Sequence, residues 1–247
     1  MTQVNPVFCA IDTSDPVKAL ALAAKLKGKV GGLKVGLEYM MANGPQGYAQ
    51  FAALGLPLFV DVKLHDIPNT VAGAVTSLLP LNADFITIHT GGGAGMMRAA
   101  AEAAAKSTGK RPKLLGVTVL TSMDGSDLKA VGQDADTAAQ VERLALLAKE
   151  SGLDGVICSP AEVVRLRALC GPDFILMVPG IRPAWSAAND QKRIMTPREA
   201  VDAGASYLVI GRPITGAADP ADAAQRIVDE IFAPCSEAKC SSCSCCG

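Results

Sequence analysis

Aromatic side chains are scarce, at 4% of 247 residues, so a core must be built from small and aliphatic side chains. There are enough of those: 49% of the chain is apolar and 19% is charged, a balance that excludes a disordered or collagen-like polymer. An excess of one charge is also missing. The 23 basic residues face 24 acidic ones, for a net charge of -1, and neither sign forms a run. A broad nucleic-acid-binding or anionic-membrane surface is thereby excluded, and any anion must be met at a local site. Long hydrophobic runs are lacking as well. The longest uncharged stretch, Tyr39 to Val60, carries Asn43, Gln46, Gln50, Pro45 and Pro57, which a lipid-facing helix does not tolerate, so no membrane span is expected. The opening MTQVNPVFCAIDTSD reaches Asp12 without a basic segment followed by a long apolar one; no secretory signal is read, and a cytoplasmic location is expected.

Cysteine falls into two groups. Cys9, Cys158 and Cys170 lie in apolar segments and read as small buried hydrophobes, while five more crowd the last thirteen residues, CSEAKCSSCSCCG. That tail contains no His, matches no standard zinc spacing and has little apolar content, so residues 234–247 are expected to form a disordered, dispensable appendage to a catalytic domain over residues 1–233, with metal or disulfide chemistry as the alternative.

What the chain has in abundance is alternation. A β-branched and apolar run, VFCAID, precedes a segment with helical spacing, DPVKALALAAKLKGKV. The same pairing recurs with GGLKVG and Tyr39–Leu54, PLFVDVKL and PNTVAGAVTSLL, DFITIHT and GAGMMRAAAEAAAKS, and KLLGVTVL and TAAQVERLALLAKESG. It ends with GVICS and PAEVVRLRALCG, FILMVPGI and TPREAVDAGA, and YLVIG and DPADAAQRIVDEIF. Asp15, Thr196 and Asp219 each precede a proline, the arrangement of an N-cap followed by Pro at the first helical position. Strands apolar at nearly every position need cover on both faces, which helices between parallel strands provide. The predicted fold is therefore α/β, a single (β/α)8 barrel, with a doubly wound open sheet as the competing arrangement.

In such a barrel the reactive residues gather at the C-terminal ends of the strands and in the loops after them. Asp12, Lys34, Asp61, Lys63 and His89 fall at or near strand exits, Thr121 follows the fifth strand, and Arg212 follows the eighth. Asp61 and Lys63 are two apart, so regular strand alternation sends both to one face. Lys34 adds a cation and Asp66 a carboxylate, giving four charges of zero sum. A structural ion-pair network plugging the mouth is the bland alternative. Schiff-base chemistry by either lysine is disfavoured, because flanking carboxylates favour the ammonium form. His65 and His89 have no Ser or Cys partner in a nucleophile motif, and His89 reads as a structural histidine at the barrel mouth. A second local site is anionic: Gly211 and Arg212 in VIGRPIT occupy the region where barrels often hold a phosphate, and the long polar segment VPGIRPAWSAANDQKR, with Arg182 and Gln191, is suited to a lid.

DVKLHDIPNT, with AID at the first strand, GLKVG at the second, PGIRP at the seventh and IGRPI at the eighth, resembles the orotidine 5'-phosphate decarboxylase family from about Val7 to Phe232. The resemblance implies a cofactor-free, metal-free enzyme that converts orotidine 5'-monophosphate to uridine 5'-monophosphate, the last step of pyrimidine nucleotide synthesis. It also implies roles. Lys34, Asp61 and Lys63 match the family's charged network, and Asp66 matches a carboxylate contributed across a homodimer interface. Asp12 and Thr70 match ribose-binding positions, Thr70 also from the partner chain. Thr121 matches a contact near the pyrimidine, and Arg182, Gln191, Gly211 and Arg212 match phosphate and lid positions. Two other readings are a magnesium-dependent decarboxylase of a sugar-acid phosphate in the same barrel superfamily, whose members carry Glu where this chain has Lys34, and a non-catalytic nucleotide-phosphate binding protein.

Overall fold

The computed structural model describes residues 4–186 and 195–234. Strands β1 (Val7–Ile11), β2 (Gly32–Gly36), β3 (Leu58–Leu64), β4 (Phe85–His89), β5 (Lys113–Val117), β6 (Gly155–Ile157), β7 (Ile175–Pro179) and β8 (Tyr207–Ile210) pair in parallel in chain order. β8 pairs back onto β1 through Val7 and Leu208, which closes the barrel and sets the open-sheet arrangement aside. The helices are α1 (Pro16–Leu26), α2 (Leu37–Ala52), α3 (Pro68–Leu78), α4 (Gly93–Ala105), α5 (Gly125–Ala130), α6 (Thr137–Glu150), α7 (Val163–Cys170), α8 (Pro197–Asp202), α9 (Arg212–Thr215) and α10 (Pro220–Phe232). The Cys-rich tail from Cys235 onward lies outside the described residues.

The expected caps form. Asp15 accepts hydrogen bonds from the Val17 and Lys18 amides, and Asp219 from those of Ala221 and Asp222. Thr196 makes a reciprocal capping box with Glu199. Some boundaries depart from the sequence reading. β5 stops at Val117 rather than Leu120, α2 is kinked at Gly44, with φ of 62°, where Pro45 cannot continue the hydrogen-bond ladder, and the short helices α5 and α9 are additional to the eight expected strand–helix pairs.

Two cores follow from strand alternation. Outward-facing Val60, Ile86, Ile88, Leu114, Leu176 and Val178 pack under the helices. Inside the barrel are Phe8, Phe59, Phe85, Leu115, Ile175, Met177 and Val209. Four of the ten aromatics meet here, and Tyr39, Tyr48 and Phe51 form a second cluster in the outer core. Phe8, Phe59, Phe85 and Tyr207 pack edge to face, with centroids 5.1–6.4 Å apart, and fill the interior as a floor. Gly32, paired with Phe8, makes room for this floor, since a Cβ there would lie 2.2 Å from the Phe8 ring. Below the floor, Arg167 of α7 donates to the carbonyls of Gly171, Phe174 and Gly204 and to Ser206 Oγ at 2.7–3.0 Å, tying α7 to the entries of β7 and β8. Cys9, Cys158 and Cys170 are free and buried, as expected, and burial raises all three thiols, Cys9 to about 12.

Candidate active site

β2 reads Gly-Leu-Lys-Val-Gly. Leu33 and Val35 face the helices, so Lys34 faces the interior between two glycines. A Cβ on Gly36 would lie 3.1 Å from Lys34 Nζ, so the second glycine leaves room for the ammonium group. Lys34 Nζ reaches Asp12 Oδ1 at 3.1 Å, just past β1, and Asp61 Oδ2 at 3.6 Å on β3. Lys63 Nζ donates to Asp61 Oδ1 at 2.8 Å. Asp12, Lys34, Asp61 and Lys63 thus form one row of alternating charge across three neighbouring strands.

Lys63 gets there by an unexpected route. Between the pairs Val60–Ile86 and Leu64–Ile88 the β3 strand advances four residues and β4 only two, and Lys63 within that bulge has φ of 49°. Simple alternation along a regular strand therefore does not place it. The backbone N–H of Lys63, displaced from the ladder, donates to Thr87 Oγ1 at 2.9 Å, and Thr87 Oγ1 donates to Asp61 Oδ1 at 3.0 Å. Thr87 is fully buried. Sequence pattern alone does not single it out, because DFITIHT reads as an apolar strand with a polar exit. The available signal was alternation: Phe85 and Thr87 point inward while Ile86 and Ile88 point outward.

The row lines a cavity of about 300 Å³ at the C-terminal mouth of the barrel, together with Thr121, Arg182, Gly211 and Arg212. Val117, Val119 and Leu120 form an apolar wall, and Phe59 and Val209 bring the core up to the bottom of the site. Arg182 is buried just after β7, and Arg212 opens α9 just after β8. Trp185, farther along the segment after β7, lies under the Arg226 guanidinium of α10 at 4.3 Å, a cation–π contact that fixes the start of that segment. Gln191 lies outside the described residues.

Asp66 and Thr70 do not line the cavity of their own chain. Both are exposed, and Asp66 Oδ1 accepts from the Ile67 amide at 2.7 Å at the start of α3. Within one chain the second carboxylate of the row is Asp12, and Asp66, which the resemblance assigns to a site across a homodimer interface, lies outside this cavity. His89 also stays out of this cavity. Its ring stacks on His65 with centroids 5.2 Å apart, and burial, then His65, then Lys63 hold its pKa below the ordinary imidazole value. Among the described residues no group of three or more His, Cys, Asp or Glu side chains is placed to hold a metal ion, and no helix is long and apolar enough to cross a membrane.

The family model described as orotidine 5'-phosphate decarboxylase / HUMPS family matches residues 5–227. Orotidine 5'-phosphate decarboxylase of Paramagnetospirillum magneticum is 56% identical over 232 residues, covering 92% of this chain and 99% of that protein. The protein of the same name from Rhodospirillum rubrum is 54% identical over 236 residues, covering 94% and 95%. Among solved structures, orotidine 5'-phosphate decarboxylase from Lactobacillus acidophilus matches with a TM-score of 0.80 at 37% identity, over 93% of this chain and all of that one. An interior lysine between two glycines, a bulged lysine beside it and an arginine past the last strand lie within the matched span, and the chain belongs to the orotidine 5'-phosphate decarboxylase / HUMPS family.

Proposed function

We propose that this enzyme removes the C6 carboxylate of orotidine 5'-monophosphate without a cofactor, giving uridine 5'-monophosphate and carbon dioxide, and that it supplies the final step of pyrimidine nucleotide synthesis in the cytoplasm. The observation that carries the reading is the Asp12–Lys34–Asp61–Lys63 row at one end of a cavity whose other polar wall holds Arg182 and Arg212. Lys34 Nζ stands between Asp12 and Asp61, so an ammonium group occupies the place a divalent cation would need to bridge those carboxylates, which favours this chemistry over a magnesium-dependent one.

Heterolysis of the C6–carboxylate bond leaves its electron pair on C6, in the plane of the ring and orthogonal to the ring carbonyls. Resonance does not absorb the charge, and a cation beside C6 must. The Lys63 ammonium meets the developing carbanion and then transfers a proton to C6; the resulting amine regains a proton from solvent. Asp61, held against both lysines, faces the departing carboxylate. Two like charges ~4 Å apart repel by about 4 kcal/mol at an effective dielectric near 20. That repulsion ends when neutral carbon dioxide leaves, and it accounts for about three powers of ten, at ~1.4 kcal/mol each. The larger share falls to the fixed cations and to water exclusion, driven by binding of the distant phosphate at Arg182, Gly211 and Arg212, with Gln191, outside the described residues, as a further phosphate contact. Asp12 meets the ribose and Thr121 the pyrimidine. Asp66 and Thr70, which are exposed and do not line the cavity of their own chain, serve the site of a second subunit in a homodimer.

The test is spectroscopic. Incubation with orotidine 5'-monophosphate in the presence of a chelator is expected to convert its ultraviolet spectrum to that of uridine 5'-monophosphate. Lys63→Ala is expected to abolish this conversion while uridine 5'-monophosphate still binds. An unchanged spectrum with the native protein, dependence on added magnesium, or normal turnover by Lys63→Ala would each defeat the reading.

A further inference from the structure

We propose that Thr87 is a positioning residue for the decarboxylation, setting the relative placement of the Asp61 carboxylate and the Lys63 ammonium group. The inference rests on the function proposed above and adds to it a residue that touches no substrate.

The argument starts from the bulge. Lys63 is neither Gly nor Asn, yet it occupies the left-handed region at φ of 49°. Such a conformation persists in an L-residue only where the surroundings over-determine it. Its amide, part-buried, has left the β3–β4 ladder and donates instead to Thr87 Oγ1 at 2.9 Å. The same hydroxyl spends its one proton on Asp61 Oδ1 at 3.0 Å, the oxygen that also accepts from Lys63 Nζ at 2.8 Å. The result is a closed ring: Lys63 amide to Thr87 hydroxyl, hydroxyl to Asp61 carboxylate, and carboxylate to the ammonium of the lysine where the ring began. Only a group that both donates and accepts can close it, which Thr and Ser supply and Val, of the same shape, does not.

The placement is rigid. Thr87 is β-branched, fully buried on β4 and paired with Leu115 of β5, and its inward neighbour on the strand is Phe85 of the aromatic floor. The hydroxyl is therefore fixed by packing before any ligand arrives. Without it, Asp61 Oδ1 loses a buried donor and the bulge loses its acceptor, so both charges are free to shift by the fraction of an ångström that matters at a reacting centre.

The discriminating experiment compares Thr87→Val, Thr87→Ser and the unmodified enzyme for kcat, KM, uridine 5'-monophosphate affinity and thermal melting. Thr87→Val is expected to lower kcat by between about tenfold and about a hundredfold, the loss typical of a hydrogen bond to a charged group. Its affinity for uridine 5'-monophosphate, which lacks the carboxylate, is expected to stay within about twofold, and Thr87→Ser is expected to restore most of kcat. A kcat for Thr87→Val close to that of the unmodified enzyme would overturn the proposal. So would a Thr87→Ser variant as impaired as Thr87→Val, which assigns the effect to the lost methyl group, or loss of folding or product affinity together with turnover, which makes Thr87 a residue of the fold. Absence of turnover in the unmodified enzyme would instead defeat the underlying function.

Discussion

Lys63 shows how much of a site can depend on one backbone angle. Its left-handed conformation costs about 1–2 kcal/mol relative to a regular strand, and what it gains is aim: the bulge directs the ammonium group onto Asp61 and into the cavity. The identity of the charged residues was legible in the sequence, because Lys34, Asp61, Lys63 and Arg212 are charges at the exits of apolar strands. Their mutual geometry was not. An i,i+2 rule brings Asp61 and Lys63 to one face of an ideal strand, but no local pattern marks Lys63 as left-handed, and Thr87 lies on another strand altogether. His89 carries a separate expectation. Its pKa is lowered in the folded protein, chiefly by burial, so the unfolded chain binds more protons below about pH 6.5. Stability from this group is present above that pH and is lost as pH falls towards the folded value. Melting temperatures measured between about pH 5 and pH 8 should show this slope, and His89→Gln should flatten it. An equal slope in the variant would place the sensitivity elsewhere.

Elements were legible where a chemical cap announces them. Asp15, Thr196 and Asp219 each stop a strand or loop and start a helix, and the structure satisfies all three with side-chain hydrogen bonds. Gly44 and Pro45 mark the α2 kink in the sequence, within a segment whose spacing otherwise reads as one helix. α5 gave a weaker signal: its Asp124–Asp127 capping box closes only six helical residues, too few to show a period. α7 owes its place to Arg167, whose guanidinium serves carbonyls from Gly171, Phe174 and Gly204 together with Ser206 Oγ. Arg167→Met keeps the stem of the side chain but leaves several carbonyls without donors. It is expected to destabilise the fold by about 3 kcal/mol, read from denaturant unfolding, with kcat unchanged because the clamp lies at the opposite end of the barrel from the site. A loss of turnover at unchanged stability would contradict this.

For the molecule as a whole, repetition made the topology readable: eight apolar runs with helical spacers admit few closed arrangements, and the strands pair in chain order around a complete circle. Assembly is another matter, because a single sequence does not label which exposed residues meet a second copy. Asp66 and Thr70 are exposed and do not line the cavity of their own chain, and the proposed homodimer predicts complementation between two inactive proteins. After unfolding and refolding Lys63→Ala with Asp66→Ala in equal amounts, half of the dimers are mixed. Each mixed dimer holds one site with an intact Lys63 and Asp66, so activity should recover to about a quarter of the native value in a two-fold symmetric pair. Activity no greater than the sum of the two separate variants would show that Asp66 does not cross between subunits.

The aromatic floor has a consequence for traffic through the enzyme. Phe8, Phe59, Phe85 and Tyr207 block the barrel axis beneath the charged row, so the chamber is blind at its lower end. Nucleotide must enter and gas must escape by the same orifice, because the floor leaves no through-path along the barrel axis.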